Sequence, residues 1–229
     1  MGDPWNVLTR RDGGRSRIRL WAATAGSILA GTGLVATLVV TLTGLSTAGS
    51  TGTPAVSAEK TELTTLHREL DATRTSLEQV EGRLQRLTAV ARYSALYDVP
   101  ADLAGAIYDT AVSEGIHPSL GFQLVKVESG FKPGARSSRG AIGYTQLRIK
   151  TARSYEPTLT ERDLADRDTN LRIGFRFLKD LLSQFDEDLH MALVAYNRGP
   201  SRVVEMMTRG EDPANGYAEV VLRGLKKGS

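Results

Sequence analysis

The sequence predicts a mainly α-helical protein built in three successive parts, and three observations lead there. A charge-free stretch runs from Leu20 to Ala58, directly after a cluster of arginines. A heptad spacing of apolar residues follows, from Leu63 to Ala91. From about Tyr97 onward, apolar residues recur at helical intervals between Pro and Gly punctuation, and no alternating run is long enough to build a sheet core.

Composition narrows the chemistry. A chain of 229 residues with 41% hydrophobic content has room for one packed domain plus extensions. It has no cysteine, which excludes disulfides, thiolate metal sites and a Cys nucleophile. His67, His117 and His190 stand far apart, without metal-ligand spacing, and read as surface or capping residues. The net charge of +3 is modest and spread along the chain, so no nucleic-acid partner is expected.

The first element is a basic tail, residues 1–20, in which Arg10, Arg11, Arg15, Arg17 and Arg19 cluster. Residues 21–45 are rich in Leu, Val, Ile, Ala, Gly and Thr. At roughly 1.5 Å per residue, some 25 residues cross a hydrocarbon core of about 30 Å, so this segment reads as a single-pass transmembrane helix. Trp21 suits the interfacial belt, and the arginines place the N-terminus in the cytoplasm and the remainder outside the cell membrane. The competing reading is secretion after signal-peptide cleavage, because Val56-Ser57-Ala58 has a small-residue cleavage pattern, although the apolar stretch is long for a signal. Residues 46–58 have the small, polar composition of a flexible linker.

Residues 59–93 are expected to form a coiled-coil stalk. Leu63, Leu66, Leu70, Leu77, Val80, Leu84, Leu87 and Ala91 follow steps of three and four, with Thr73 in the polar slot of the seam. So narrow a stripe suits a partner helix, and homo-oligomerisation as a parallel dimer or trimer is the expectation. The alternative is an amphipathic helix laid on its own C-terminal domain.

The third part, 97–229, is the catalytic candidate. Pro100-Ala101-Asp102 opens a helix with Leu103, Ile107 and Ala111 on one face, closed by Gly115. Pro118 starts another, whose stripe of Leu120, Leu124, Val125 and Val127 runs to Glu128. After a glycine-rich loop, further helices are expected at Ile149–Tyr155, Thr169–Phe185, Leu189–Asn197, Ser201–Thr208 and Asn215–Leu225. Asp163, Asp166 and Asp168 read as a loop and helix cap, and Asp186, Glu187 and Asp188 as an inter-helix turn.

Glu128 carries the chemistry. At the C-terminal end of a helix the dipole disfavours an anion, and a neighbouring apolar stripe removes water. Both raise a carboxyl pKa, to about 6 where burial is strong, which suits protonation of a glycosidic oxygen near neutral pH. No acid follows until Glu156, so the site offers one carboxylate where most glycosidases use two.

Glu128-Ser129, then Ser137, the block Gly140-Ala141-Ile142-Gly143-Tyr144-Thr145-Gln146-Leu147 and the later Ala195-Tyr196-Asn197-Arg198-Gly199 resemble the lytic transglycosylase domain of the soluble lytic transglycosylase and goose-type lysozyme superfamily. The resemblance covers about residues 97–225 and implies a lysozyme-like helical catalytic domain. It implies that Glu128 is the catalytic acid, and that Ser129, Ser137, Gln146, Tyr196, Asn197 and Tyr217 line or contact the substrate. Asn170, Leu171, Gly174, Phe177 and Leu178 match a structural helix pattern and read as core. One departure stands out: the family's Leu-Met pair is Tyr144-Thr145 here, which implies a more polar floor beside the sugar.

The implied reaction is cleavage of peptidoglycan strands between N-acetylmuramic acid and N-acetylglucosamine. The acid protonates the leaving oxygen, and the muramic-acid C6 hydroxyl attacks C1 to close a 1,6-anhydro ring. The substrate supplies its own nucleophile, so neither metal nor organic cofactor is required. Two alternatives stand beside it: a hydrolytic muramidase on the same fold, and a non-catalytic glycan-binding or assembly protein of a wall-spanning complex.

Overall fold

The structure is a computed structural model that describes residues 54–225, with side chains from Lys60 onward. The basic tail, the expected membrane-spanning segment 21–45 and the linker up to residue 53 lie outside the described residues. Among the described residues, no helix is long and apolar enough to cross a membrane.

The chain divides into two compact units, Met1–Ala72 and Thr73–Ser229, and helix α1 (Pro54–Tyr97) runs through the division. The helix begins inside the segment expected as a flexible linker, so Pro54–Ala58 is helical. Pro suits a first helical turn, and the Ala-Val-Ser-Ala that follows contains no helix breaker. In the first unit Leu63, Leu66 and Leu70 are exposed; in the second, so are Leu77, Val80, Leu84 and Leu87, each by more than half.

Within the second unit α1 does pack on its own domain, but through a different face. Val90 and Tyr93 are buried, and Arg86 holds Asp109 with paired hydrogen bonds of 2.6 and 2.5 Å. Arg86, Val90, Tyr93 and Tyr97 lie roughly 130° around the helix from the Leu77–Leu87 seam. The seam therefore does not attach this helix to its own domain.

Next come α2 (Ala101–Ser113) and α3 (Pro118–Ser129), a two-stranded antiparallel ribbon of β1 (Ala141–Ile142) and β2 (Leu147–Arg148), and α4 (Ile149–Arg153). Ala141 pairs with Arg148 and Ile142 with Leu147. Then follow α5 (Glu161–Ala165), α6 (Arg167–Gln184), α7 (Leu189–Arg198), α8 (Pro200–Thr208) and α9 (Tyr217–Leu225). Local chemistry explains the boundaries. His117 caps α3 by accepting from the Ser119 N–H, with Pro118 in the first turn, and Gly130 ends that helix in the left-handed conformation at φ 58°. Asp166 and Asp188 cap α6 and α7. Helix α5 replaces part of the expected polar loop. Its five residues are too few to show periodicity, but Thr160 and Asp163 form a reciprocal capping box.

Helices α2, α3, α9, α7 and α6 close a ring of contacts, each packed on the next and α6 back on α2. Phe122, Leu124, Leu171, Phe175, Leu178 and Leu193 fill the core fully buried. The ring sets the last turn of α3 against the first turn of α9.

Candidate active site

Glu128 lies in the last turn of α3 and is half-buried. Loss of water pushes its carboxyl from 4.5 up to about 7, opposed by a hydrogen bond that the Tyr217 hydroxyl donates to Oε1. Tyr217 is the first residue of α9. Burial, and then the charge of Glu128, raise its own pKa far above the usual phenol range. Where α9 meets α3, a Cβ on Gly224 would overlap the Gln123 amide, so a side chain there requires the end of Gln123 to move.

Tyr196, on α7, is buried and donates its hydroxyl to the Thr145 carbonyl at 2.9 Å, while its ring leans on Phe177 with centroids 5.1 Å apart. Burial, and then the charge of Glu128, hold its pKa well above the usual phenol range. Asn197 is exposed at the end of α7, and its Oδ1 accepts from Asn215 Nδ2 at 2.7 Å. Asn215 in turn accepts from the Tyr217 backbone N–H at 3.2 Å, so it ties Asn197 to the start of α9. Sequence reading missed Asn215; the Asn-Gly pair just ahead of a helix was the available signal.

The other expected site residues have local partners. The Ser129 hydroxyl is buried and donates to the Val125 carbonyl at 3.1 Å. Ser137 is exposed, and its Oγ accepts from the Ala141 N–H at 3.0 Å and the Arg139 N–H at 3.3 Å, which organises the turn ahead of β1. Gln146, at φ 48°, donates through Nε2 to the carbonyls of Ala135 and Gly143, pinning the glycine-rich loop onto itself. The structure thus joins Glu128 to Tyr217, links Asn197 to the start of α9 through Asn215, and ties Tyr196 to the Thr145 carbonyl. It gives Ser129, Ser137 and Gln146 contacts within their own segments.

The expected polar floor is not supplied by Thr145. That side chain is fully buried, and its hydroxyl donates to Asn170 rather than facing open space. Tyr144 is also buried, with Arg167 and Asp102 as its charged neighbours.

Residues 106–215 match the profile of the family described as Transglycosylase SLT domain. The peptidoglycan transglycosylase gp16 of Escherichia phage T7 is 29% identical over 109 residues, 46% of this chain and 8% of that protein. An inactive mutant of the lytic transglycosylase Slt from Pseudomonas aeruginosa is 30% identical across 52% of this chain and 20% of its own, with a TM-score of 0.42. The 70 kDa soluble lytic transglycosylase of Escherichia coli is 23% identical across 57% of this chain and 24% of its own, with a TM-score of 0.48. The chain therefore spans less than a quarter of the length of each of these proteins. Glu128, the glycine-rich block and the Ala195–Gly199 block all fall inside the residues that match the Transglycosylase SLT domain family.

Proposed function

We propose that this chain is a peptidoglycan lytic transglycosylase with Glu128 as its acid and base. The observation that carries the reading is one half-buried carboxyl raised to about 7, with no second carboxylate among the described residues contributing to its shift. In the protonated state it delivers a proton to the glycosidic oxygen. As the carboxylate it then draws the proton from the C6 hydroxyl as that oxygen attacks C1. Tyr217 steadies the carboxylate form through its donated hydrogen bond. Mass spectrometry of muropeptides released from purified peptidoglycan tests the reading. Products lighter by one water than the hydrolytic products are expected, whereas reducing-end products would assign a muramidase, and no product would favour a glycan-binding role.

Because the first step needs Glu128 protonated, kcat/KM should fall about tenfold per pH unit above about 7. A rate that stays flat to pH 9 would exclude Glu128 as the proton donor.

We also propose that residues 21–45 anchor the chain in the cell membrane with the domain outside, and that the α1 seam pairs with a second copy. The exposed apolar stripe supports self-association. In a parallel pair, Glu69 faces the other copy's Arg74 and Glu62 its His67, and no like charges meet at these flanking positions. The variant Leu77→Glu/Leu84→Glu is expected to turn a dimer into a monomer in sedimentation velocity. On a helix that is solvent-exposed in a monomer, the same changes alter stability by only about 0.5 kcal/mol and leave the mass unchanged.

A further inference from the structure

Tyr217, the donor to Glu128, is the first residue of α9. The first N–H groups of a helix have no acceptor within it, so the helix frays there unless a side chain caps it. Asn215 supplies the cap. Its Oδ1 accepts from the Tyr217 N–H at 3.2 Å, across Gly216, which stands at φ 80° where a side chain would be strained. A backbone N–H can only donate, so the amide must present its oxygen there, and its Nδ2 is left to give. It gives to Asn197 Oδ1 at 2.7 Å.

The neighbouring residue at the end of α7 holds the same stretch. Arg198 Nη2 donates at 3.3 Å to the Ala214 carbonyl, which belongs to the peptide leading into Asn215. Asn215 is therefore tied to α7 through both its side chain and its preceding peptide. We propose that Asn215 is a positioning residue for the acid: anchored on the end of α7, it caps the first turn of α9 and so keeps the Tyr217 hydroxyl on Glu128. The inference rests on the reading of Glu128 as the acid. Asn215 bonds to Asn197 and to the Tyr217 backbone, and it reaches the carboxyl only through Tyr217.

A donated hydrogen bond favours the carboxylate, so loosening the first turn of α9 returns Glu128 toward its protonated form and moves its midpoint up. An uncharged substitution at 215 leaves the charges around the site as they are. Those groups are Tyr217 from α9 and Tyr196 from α7, each with a pKa that the charge of Glu128 helps to raise. Helix α2, also packed on α3, contributes no ionisable group to the Glu128 shift, and on α3 itself Lys126 sits over the Tyr97 ring at 5.3 Å.

The test titrates Glu128 by carboxyl 13C NMR of the full chain, with the signal assigned by its loss in Glu128→Gln. Tyr217→Phe deletes the bond outright and should raise the midpoint by about one pH unit or more. Asn215→Ala should raise it part of that way, by about half a unit, and should add nothing further in a Tyr217→Phe background. The alkaline limb of kcat/KM should move up by as much as the midpoint, because both report the same proton of the free enzyme. Asn215→Asp keeps an oxygen for the Tyr217 N–H and, with the Asn197 amide turned, the tie to α7. Once the effect of its charge, measured in the Tyr217→Phe background, is subtracted, it should return the parent midpoint. An unchanged midpoint in Asn215→Ala, or a rise that persists in full without the Tyr217 hydroxyl, overturns the proposal. If Asn215→Ala does not fold, Asn197→Ala removes the other end of the tie and should raise the midpoint in the same way; no rise there overturns the proposal too. The midpoints need no turnover. If Glu128→Gln still releases muropeptides, the acid assignment fails while the titration still decides whether Asn215 holds Tyr217.

Discussion

Replacing Glu128 by Gln should reduce muropeptide release by about 10²- to 10⁴-fold, the range in which a positioned general acid contributes. Gln preserves size and accepts a hydrogen bond from Tyr217, but it can neither give nor take the proton. The loss should therefore appear in kcat with little change in KM. Stability should move the other way. In the fold the Glu128 carboxyl is raised from 4.5 to about 7, so its ionisation opposes folding. Below about pH 4.5 parent and variant should melt alike apart from the substitution itself. As pH rises through about 7, the parent should lose stability relative to Glu128→Gln and stay lower above it. A variant that keeps activity within tenfold of the parent, or a melting-temperature difference that does not depend on pH, would remove Glu128 from its assigned role.

Phe122→Ala should cost about 3–5 kcal/mol of unfolding free energy in urea. Phe122 is fully buried and stacks on Tyr93 with centroids 4.3 Å apart and planes 10° apart. Tyr97 lies on it at 5.3 Å and 15°. Truncation leaves a cavity and also removes ring contacts of about 0.5–1.5 kcal/mol each. The expected result places the last two turns of α1 inside the cooperative unit of the domain. Hydrogen exchange should then speed up from Val90 to Tyr97 together with α3. A cost below about 1 kcal/mol, with exchange in that stretch unchanged, would show that α1 is only loosely attached to the domain.

The helices were legible wherever apolar period and end signals agreed. Pro118 and the turn after Glu128 bounded α3; Asp166 caps α6 within the segment expected as loop and helix cap, and Asp188, expected in an inter-helix turn, caps α7. Helix α5 was not legible, because a five-residue helix is defined by its cap rather than by a face. The heptad stripe on α1 was equally plain, yet whether it packed on the chain's own domain could not be read from it. That depended on Tyr93 and Val90, which interrupt no pattern and show their role only once Phe122 is in place.

The site divides the same way. Sequence by itself determined the helical class and the position of one carboxyl at a helix end beside an apolar stripe, because these follow from residue order and local backbone preference. It also marked Tyr196 and Tyr217 as candidates, by resemblance. Only the tertiary structure decided which tyrosine gives its proton to Glu128 and which gives it to a backbone carbonyl. It also decided that Thr145 faces Asn170 instead of open space. The reason is that a hydrogen bond depends on direction and on what lies opposite. The partners here are 25, 51 and 89 residues apart in the chain. No local pattern encodes such pairings; they exist only when the ring of helices closes.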